Sequence, residues 1–349
     1  MKRLLIYPFD QETVPLVRFS EMLIDYDAVV AVVEKGSELT SNLDISYIDG
    51  GCYCGVSTCE DFENLVADAS GVLFSGDTRD IETARKNMMI AKEQGKEIFT
   101  CGNIADDLIN NIAGYNCLDY PAITADATPI DRLLEISVPI ITVAGQGPQC
   151  GKFDIQMGLR KAFKELGYKV TQIGTKRYSA LFGIHPIPQI PDAPLWKKII
   201  LYNRFFWDTV DKEKPDVLIV GIPGGIMPID DRHNELFGET AIAVSKSLRP
   251  DTSILSIYYG KVDDGYLNNI IDYAKYSLDA PFDYFHLSNT KLVLEQDLRT
   301  LSYLTTDSNR VFEMHDGIDE RFFNVFSEST SAFVYDQIVF KLQCNIETL

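Results

Sequence analysis

Val143-Ala144-Gly145-Gln146-Gly147-Pro148-Gln149-Cys150-Gly151-Lys152-Phe153 decides the reading of this chain. An apolar run, Val138–Val143, leads into it, and an amphipathic stretch, Phe153–Leu166, follows. A strand, a glycine-rich turn and a helix opening at Lys form the context of a phosphate-binding loop. Glycine lets the backbone turn its N–H groups toward an anion, and the helix N-terminus adds favourable dipole charge. The expected ligand-binding residues are Gly145, Gly147, Gln149, Cys150, Gly151, Lys152 and Phe153, with Lys152 neutralising phosphate charge as a catalytic group. Two positions depart from G-x-x-x-x-G-K-[ST]. Gln146 stands where the first glycine belongs. Phe153 stands where a Ser or Thr hydroxyl normally helps hold Mg²⁺. A helix N-terminus can activate a thiol, but packing is the expected role of Cys150.

Outward from the loop, apolar runs alternate with amphipathic stretches in both directions. After it come strands expected at Lys169–Ile173, Asp216–Val220, Ser253–Tyr259 and Tyr284–Leu287. Helices are expected at Trp196–Val210, Glu235–Leu248, Tyr266–Tyr276 and Ser331–Leu342. His185–Pro191 carries three prolines and reads as a loop. Before it, strands are expected at Leu4–Tyr7, Ala28–Val33, Gly71–Ser75 and Glu97–Cys101, with helices over Val14–Ile24, Glu60–Ala67 and Ile81–Gln94. Such alternation predicts parallel sheets covered by helices. The expected fold class is α/β: an N-terminal Rossmann-like parallel-sheet domain, residues 1–130, then a P-loop NTPase-like α/β domain, residues 131–349. Asn116–Pro129 reads as the linker. No G-x-G-x-x-G follows the first strand, which argues against an ordinary dinucleotide site there.

Composition bounds the partners. The 349 residues carry 32 Lys+Arg and 51 Asp+Glu, a net charge of −19. An acidic chain lacks the basic surface that nonspecific nucleic-acid binding and anionic-membrane docking need. No run approaches the roughly 20 apolar residues that cross a bilayer, and Met1–Tyr7 is too short for a signal core. A cytoplasmic protein with reduced thiols is expected.

The motifs also carry resemblances. Gly145-x-Gly147-x-x-x-Gly151-Lys152 resembles the G-T-G-T-D-V-G-K-T loop of dethiobiotin synthetase and its P-loop relatives. Gly167-Tyr168-Lys169-Val170, followed by Lys176, resembles that family's second strand, which implies that Lys176 contacts phosphate or substrate. Asp216–Gly225, with Pro228, resembles the third-strand motif V-L-V-E-G-A-G-G and implies Gly224 and Gly225 at the ligand. The metal-ligating Glu of that motif falls at Gly221, and Asp230 and Asp231 are the candidate replacements, Asp231 also as a catalytic carboxylate. The resemblance leaves three readings: metal binding is rearranged, nucleotide binds without turnover, or the pocket holds another anion. Over the whole chain, a Rossmann-like domain before a P-loop domain is similar to the family that includes D-glutamate N-acetyltransferases. Leu5-Ile6-Tyr7-Pro8-Phe9-Asp10, with Pro15 and Arg18, resembles a clostridial family of peptide-maturation-system proteins. That family implies a role near ribosomally made, Cys-rich peptides.

Other constellations are weaker. Cys52, Cys54 and Cys59 share one Gly-rich loop; ordinary thiols are expected there before a metal or cluster site. His233 beside Asp230 and Asp231 could serve as a base, though a solvated loop is the plainer expectation. Asp10 and Asp77 end two strands and could face a crevice or cap helices. Leu201–Trp207 reads as core or subunit interface, and His315–Arg321 as an exposed turn.

The leading expectation is a nucleotide-binding, ATP-dependent ligase-like enzyme that modifies a small molecule or peptide, its ligand ATP or another phosphate-bearing compound, with Mg²⁺ left open. The alternatives are a non-hydrolysing NTPase acting as a peptide- or partner-binding scaffold, and an acyl-CoA-dependent N-acyltransferase. A homodimer is expected.

Overall fold

The structure, a computed structural model, describes residues 1–76, 78–102, 114–123, 132–190, 193–295, 297, 299–313 and 320–347. The chain divides into two compact units: residues 1–120 with 176–186, and residues 121–175 with 187–349. The expected boundary between 130 and 131 lies outside the described residues.

In the first unit, β1 (Arg3–Tyr7), β2 (Ala28–Ala31), β3 (Gly71–Ser75), β4 (Glu97–Cys101) and β5 (Asn116–Leu118) form one sheet, ordered β2-β1-β3-β4-β5. Every pairing is parallel. The strands are nearly continuous apolar runs, as a sheet covered on both faces requires. Leu5, Tyr7, Val72, Phe74 and Ile98 meet Phe62, Val66, Ala84 and Met88 in one core. Two expectations change here. Asn116–Leu118, read as linker, instead pairs with β4. The helix expected over Val14–Ile24 stops as α1 (Val14–Arg18): Phe19 leaves helical geometry and a short turn, Ser20–Met22, follows. Asp80 caps α2 (Ile81–Glu93) by accepting from Thr83 N.

In the second unit, β6 (Ile140–Gly145) leads through the glycine loop into α3 (Lys152–Glu165), then β7 (Val170–Gly174). Beyond a two-residue strand that belongs to the first unit, β8 (His185–Pro186), come α4 (Leu195–Glu213), β9 (Val217–Gly221), α5 (Glu239–Leu248), β10 (Thr252–Ile257), α6 (Asp264–Tyr273), β11 (Phe282–Leu287) and the antiparallel pair β12 (Thr290–Leu294) and β13 (Leu301–Thr305). β14 (Phe322–Phe323) and α7 (Glu328–Glu347) follow. Within this unit the sheet order is β14-β11-β10-β6-β9-β7, all parallel. Strand periodicity splits the core in two. Ile141, Val143, Val217 and Ile219 pack with Ile155, Leu159, Val334 and Ile338 on one face. Ile140, Ala144, Leu218 and Val220 pack with Tyr202, Phe206, Ala241 and Val244 on the other. The aromatic run of α4 therefore puts Tyr202 and Phe206 in the core.

The chain is thus α/β, two parallel sheets with helices, as expected. The helix expected from Glu235 begins instead at Glu239. Glu235, Leu236 and Phe237 have φ of 45°, 51° and 55°, a left-handed turn that no helix can include.

Candidate functional site

β6 ends at Gly145 in the centre of its sheet, and the next six residues wrap back to start α3 at Lys152. Gln149 and Gly151 are left-handed, with φ of 53° and 81°. Gly151 also lies against His286: a Cβ there would stand 3.2 Å from the ring Cε1. Alternating handedness gathers successive N–H groups on one side, the geometry of an anion nest.

Lys152 is buried at the first turn of α3. Its Nζ donates to Gly147 O at 2.8 Å and to Gly224 O at 2.7 Å. The ammonium thereby bridges the loop and the glycine pair beyond β9, so the structure brings Gly145–Phe153 together with Gly224 and Gly225. Gly225 N donates to the Glu235 carboxylate at 2.9 Å. Cys150 is buried, its Sγ 3.1 Å from Gly147 O, the packed role expected of it.

The loop is braced from β10 and β12. Ser256 Oγ donates to Cys150 O, Thr290 Oγ1 to Gln149 O at 2.8 Å, and Tyr258 Oη to Pro148 O. Gln146 holds the β10 side as well: its Oε1 accepts from Tyr258 N at 2.7 Å and its Nε2 donates to Tyr266 Oη. His286 Nδ1 lies 2.8 Å from Ser256 Oγ, its Nε2 has no partner among the described residues, and burial holds the ring neutral, with its pKa down at about 3.

The residues do not fit a protein-held Mg²⁺. Phe153 is 2% exposed, an apolar core side chain where the metal-binding hydroxyl would stand. At Gly221 the space is filled by Gln156, whose amide Nε2 would be 2.3 Å from a Cβ. Gln156 is buried and bonds to Lys152 O and to Gln172. Among the described residues no group of three or more His, Cys, Asp or Glu side chains is arranged to hold a metal ion. One stability prediction follows: Gly221→Ala should lose about 2 kcal/mol, the usual cost of overpacking. Truncating the obstacle as well, in Gly221→Ala/Gln156→Ala, should not add the two single losses. Urea unfolding of the three variants checks this; simple additivity would show that Gln156 is not the obstacle.

The remaining expected residues are placed as follows. Asp231 is exposed in the turn between Asp230 and His233. His233 Nδ1 bonds Asp230 Oδ1 at 2.9 Å and its Nε2 bonds Arg299 O at 2.8 Å. A carbonyl and a carboxylate both accept, so this arrangement favours the imidazolium, whose pKa Asp230 raises, and Asp230 falls to about 2 through its bonds to His233 and Arg232. Lys176 belongs to the first unit, where its ammonium pairs with Glu12. Asp10 caps the turn Gln11–Thr13, accepting from Thr13 N at 2.9 Å. Asp77 lies outside the described residues, as does most of His315–Arg321. Cys52, Cys54 and Cys59 form no disulfide among the described residues; Cys59 Sγ is 3.2 Å from Ala31 O.

Sequence reasoning missed Ser256, Tyr258, Thr290, Glu235 and Gln156. For Ser256 and Tyr258 one signal existed: hydroxyl residues at the carboxyl end of an expected strand, two apart on Ser256-x-Tyr258.

Neither a protein-family model nor a curated protein matches the sequence. Solved structures do resemble it. A DUF1611 family protein from Anabaena variabilis has a TM-score of 0.53 at 12% identity, over 82% of this chain and 88% of that one. A nucleotide-binding protein from Archaeoglobus fulgidus, in complex with ADP, gives 0.32 at 12% identity over 57% and 88%. A plasmid partition protein from Borrelia burgdorferi gives 0.36 at 13% over 59% and 100%. Nothing in these names speaks of peptide maturation. At such identities likeness concerns the fold alone, and the first match extends it over most of both chains. Among the described residues no helix is long and apolar enough to cross a membrane. The chain is similar in fold to the DUF1611 family protein, and its second unit carries a strand, a glycine-rich loop and a helix that opens at Lys152.

Proposed function

We propose that the loop from Gly145 to Phe153 binds a phosphate-bearing ligand, a nucleotide first among them, without a protein-held divalent cation. The observation that carries this reading is Lys152: a buried ammonium held by two carbonyls at the mouth of a left-handed glycine turn and a helix N-terminus. Neutral carbonyls are weak partners for a buried cation, and an anionic oxygen replaces them with a charge-assisted bond. In the ligase-like form of the proposal, ATP activates a carboxylate or amine of a small molecule or peptide. In the scaffold form, nucleotide binds without turnover. Phe153 and the Gln156-filled space at Gly221 favour the scaffold form, because phosphoryl transfer relies on a positioned metal.

Calorimetry with ATP, GTP and acetyl-CoA, each with Mg²⁺ and with EDTA, tests the reading. The expected result is saturable binding of one ligand, with Kd changed less than about twofold by EDTA. Binding that vanishes in EDTA would overturn the metal-free reading. No binding of any ligand by folded protein would overturn the phosphate site itself. Selective binding of acetyl-CoA would favour the acyl-transfer alternative.

A further inference from the structure

Three consecutive loop carbonyls, those of Pro148, Gln149 and Cys150, each accept a bond from a side-chain hydroxyl: Tyr258, Thr290 and Ser256 respectively. A trans peptide is planar, and its C=O and N–H point in opposite directions. Anchoring these three carbonyls toward β10 and β12 therefore turns the N–H groups of Gln149, Cys150 and Gly151 the other way. None of these N–H groups has an acceptor among the described residues. Two of these three residues, Gln149 and Gly151, are left-handed, a conformation that costs the non-glycine Gln149 energy and needs bracing. The bracing is itself supported. Ser256 gives its one proton to Cys150 O, so the 2.8 Å contact with His286 runs from Nδ1–H to Oγ. His286 thus fixes the direction of the Ser256 hydroxyl.

We propose that Ser256, Tyr258 and Thr290 are positioning residues that preset three adjacent N–H groups as a metal-free oxyanion cradle. The proposal rests on the phosphate-site reading above and deepens it. The loop is organised from behind, by hydroxyls bonded to the carbonyls opposite these N–H groups. A fixed cradle spares the ligand the ordering cost of the loop.

The test uses Ser256→Ala, Tyr258→Phe and Thr290→Val in the full chain, with inorganic pyrophosphate and ATP as probes in EDTA. Each variant should weaken both probes about fivefold to tenfold, the usual effect of one lost hydrogen bond. Ser256→Thr and Thr290→Ser, which keep the hydroxyl, should recover most of the affinity. Without ligand, the amide resonances of Gln149, Cys150 and Gly151 should shift in each variant, and those of β6 and α3 should stay within their normal spread. Affinities within twofold of wild type, with loop amides unmoved, overturn the proposal. Failure of the wild type to bind either probe would instead defeat the phosphate-site reading. The unliganded amide resonances would still decide whether the hydroxyls hold the loop. A variant that loses affinity only through misfolding would shift resonances throughout the chain and would not be rescued by the conservative replacement, which also counts against the proposal.

Discussion

Lys152→Ala is expected to weaken binding of the phosphate-bearing ligand by about 100-fold, with a much smaller effect on thermal stability. The size follows from the chemistry. A buried ammonium bonded to an anionic oxygen contributes about 1.5–3 kcal/mol per hydrogen bond, and every 1.4 kcal/mol is a factor of ten. The stability cost is smaller, because the two bonds lost in the unliganded chain end on the neutral carbonyls of Gly147 and Gly224, and their gain is offset by the desolvation of a buried ammonium. Arginine should not rescue the loss. Its planar fork is rigid, whereas Lys152 reaches two carbonyls from elements far apart in sequence through a flexible stem. Calorimetry and thermal melts of the alanine and arginine variants check both statements. A change of less than twofold in affinity would show that the loop is not the phosphate cradle.

Acid should destabilise the chain through His286, and removing that residue should flatten the response. Burial lowers the folded pKa of His286 to about 3 from an ordinary value of 6.5. The sign follows from proton counts. Between pH 6.5 and about 3 the unfolded ring is protonated and the folded ring is not, so the unfolded state binds more protons and stability falls as pH falls. Above pH 6.5 both are neutral and the effect is absent. Each pH unit in that window costs about 1.4 kcal/mol, or about 2 kcal/mol between pH 7 and pH 5. Urea unfolding of wild type and His286→Asn at those two pH values reads the difference. The variant starts lower at pH 7, since Asn is a poorer fit beside Phe323, but its loss toward pH 5 should be smaller by about that 2 kcal/mol. Equal losses in the two proteins would mean that the ring is hydrated or already charged.

Much of the architecture was legible because the strands of both sheets are apolar runs separated by amphipathic helices. Gly145–Lys152 was legible because its type of turn has a local signature. What escaped is what tertiary structure decides. Glu235–Phe237 follow a polar turn and precede a good helix, so local propensity favours starting the helix there. The Glu235 carboxylate instead reaches Gly225 N, and Asn234 caps Leu236 N, which together hold the left-handed turn. Leu236 and Phe237 are left 67% and 71% exposed. β12 and β13 were missed because their sequences are short and mixed in polarity, and antiparallel pairing supplies what propensity lacks. Ser256 is an ordinary strand residue by itself. Its importance comes from register: β10 pairs with β6 so that Ser256 lies opposite Gly145, the last residue before the loop. Nothing in a single sequence fixes that pairing.

The division of the chain has a consequence for how it folds. The first unit includes residues 176–186, which are synthesised after β6, α3 and β7 of the second. Its N-terminal part bonds to that late segment at several points: Ile24 N to Leu181 O at 3.1 Å, Tyr178 Oη to Glu12 O at 2.7 Å, and Lys176 to Glu12. A chain cut after residue 130 would lack all of these. During synthesis the first unit therefore stays unfinished while the glycine loop is emerging, and the two units cannot mature strictly one after the other. Contacts so distant in sequence must close a long loop before any of them stabilises it, which slows folding and prolongs exposure of the first sheet. An N-terminal unit usually offers a nascent chain an early, self-contained intermediate. Here that intermediate has to wait for the middle of the second unit.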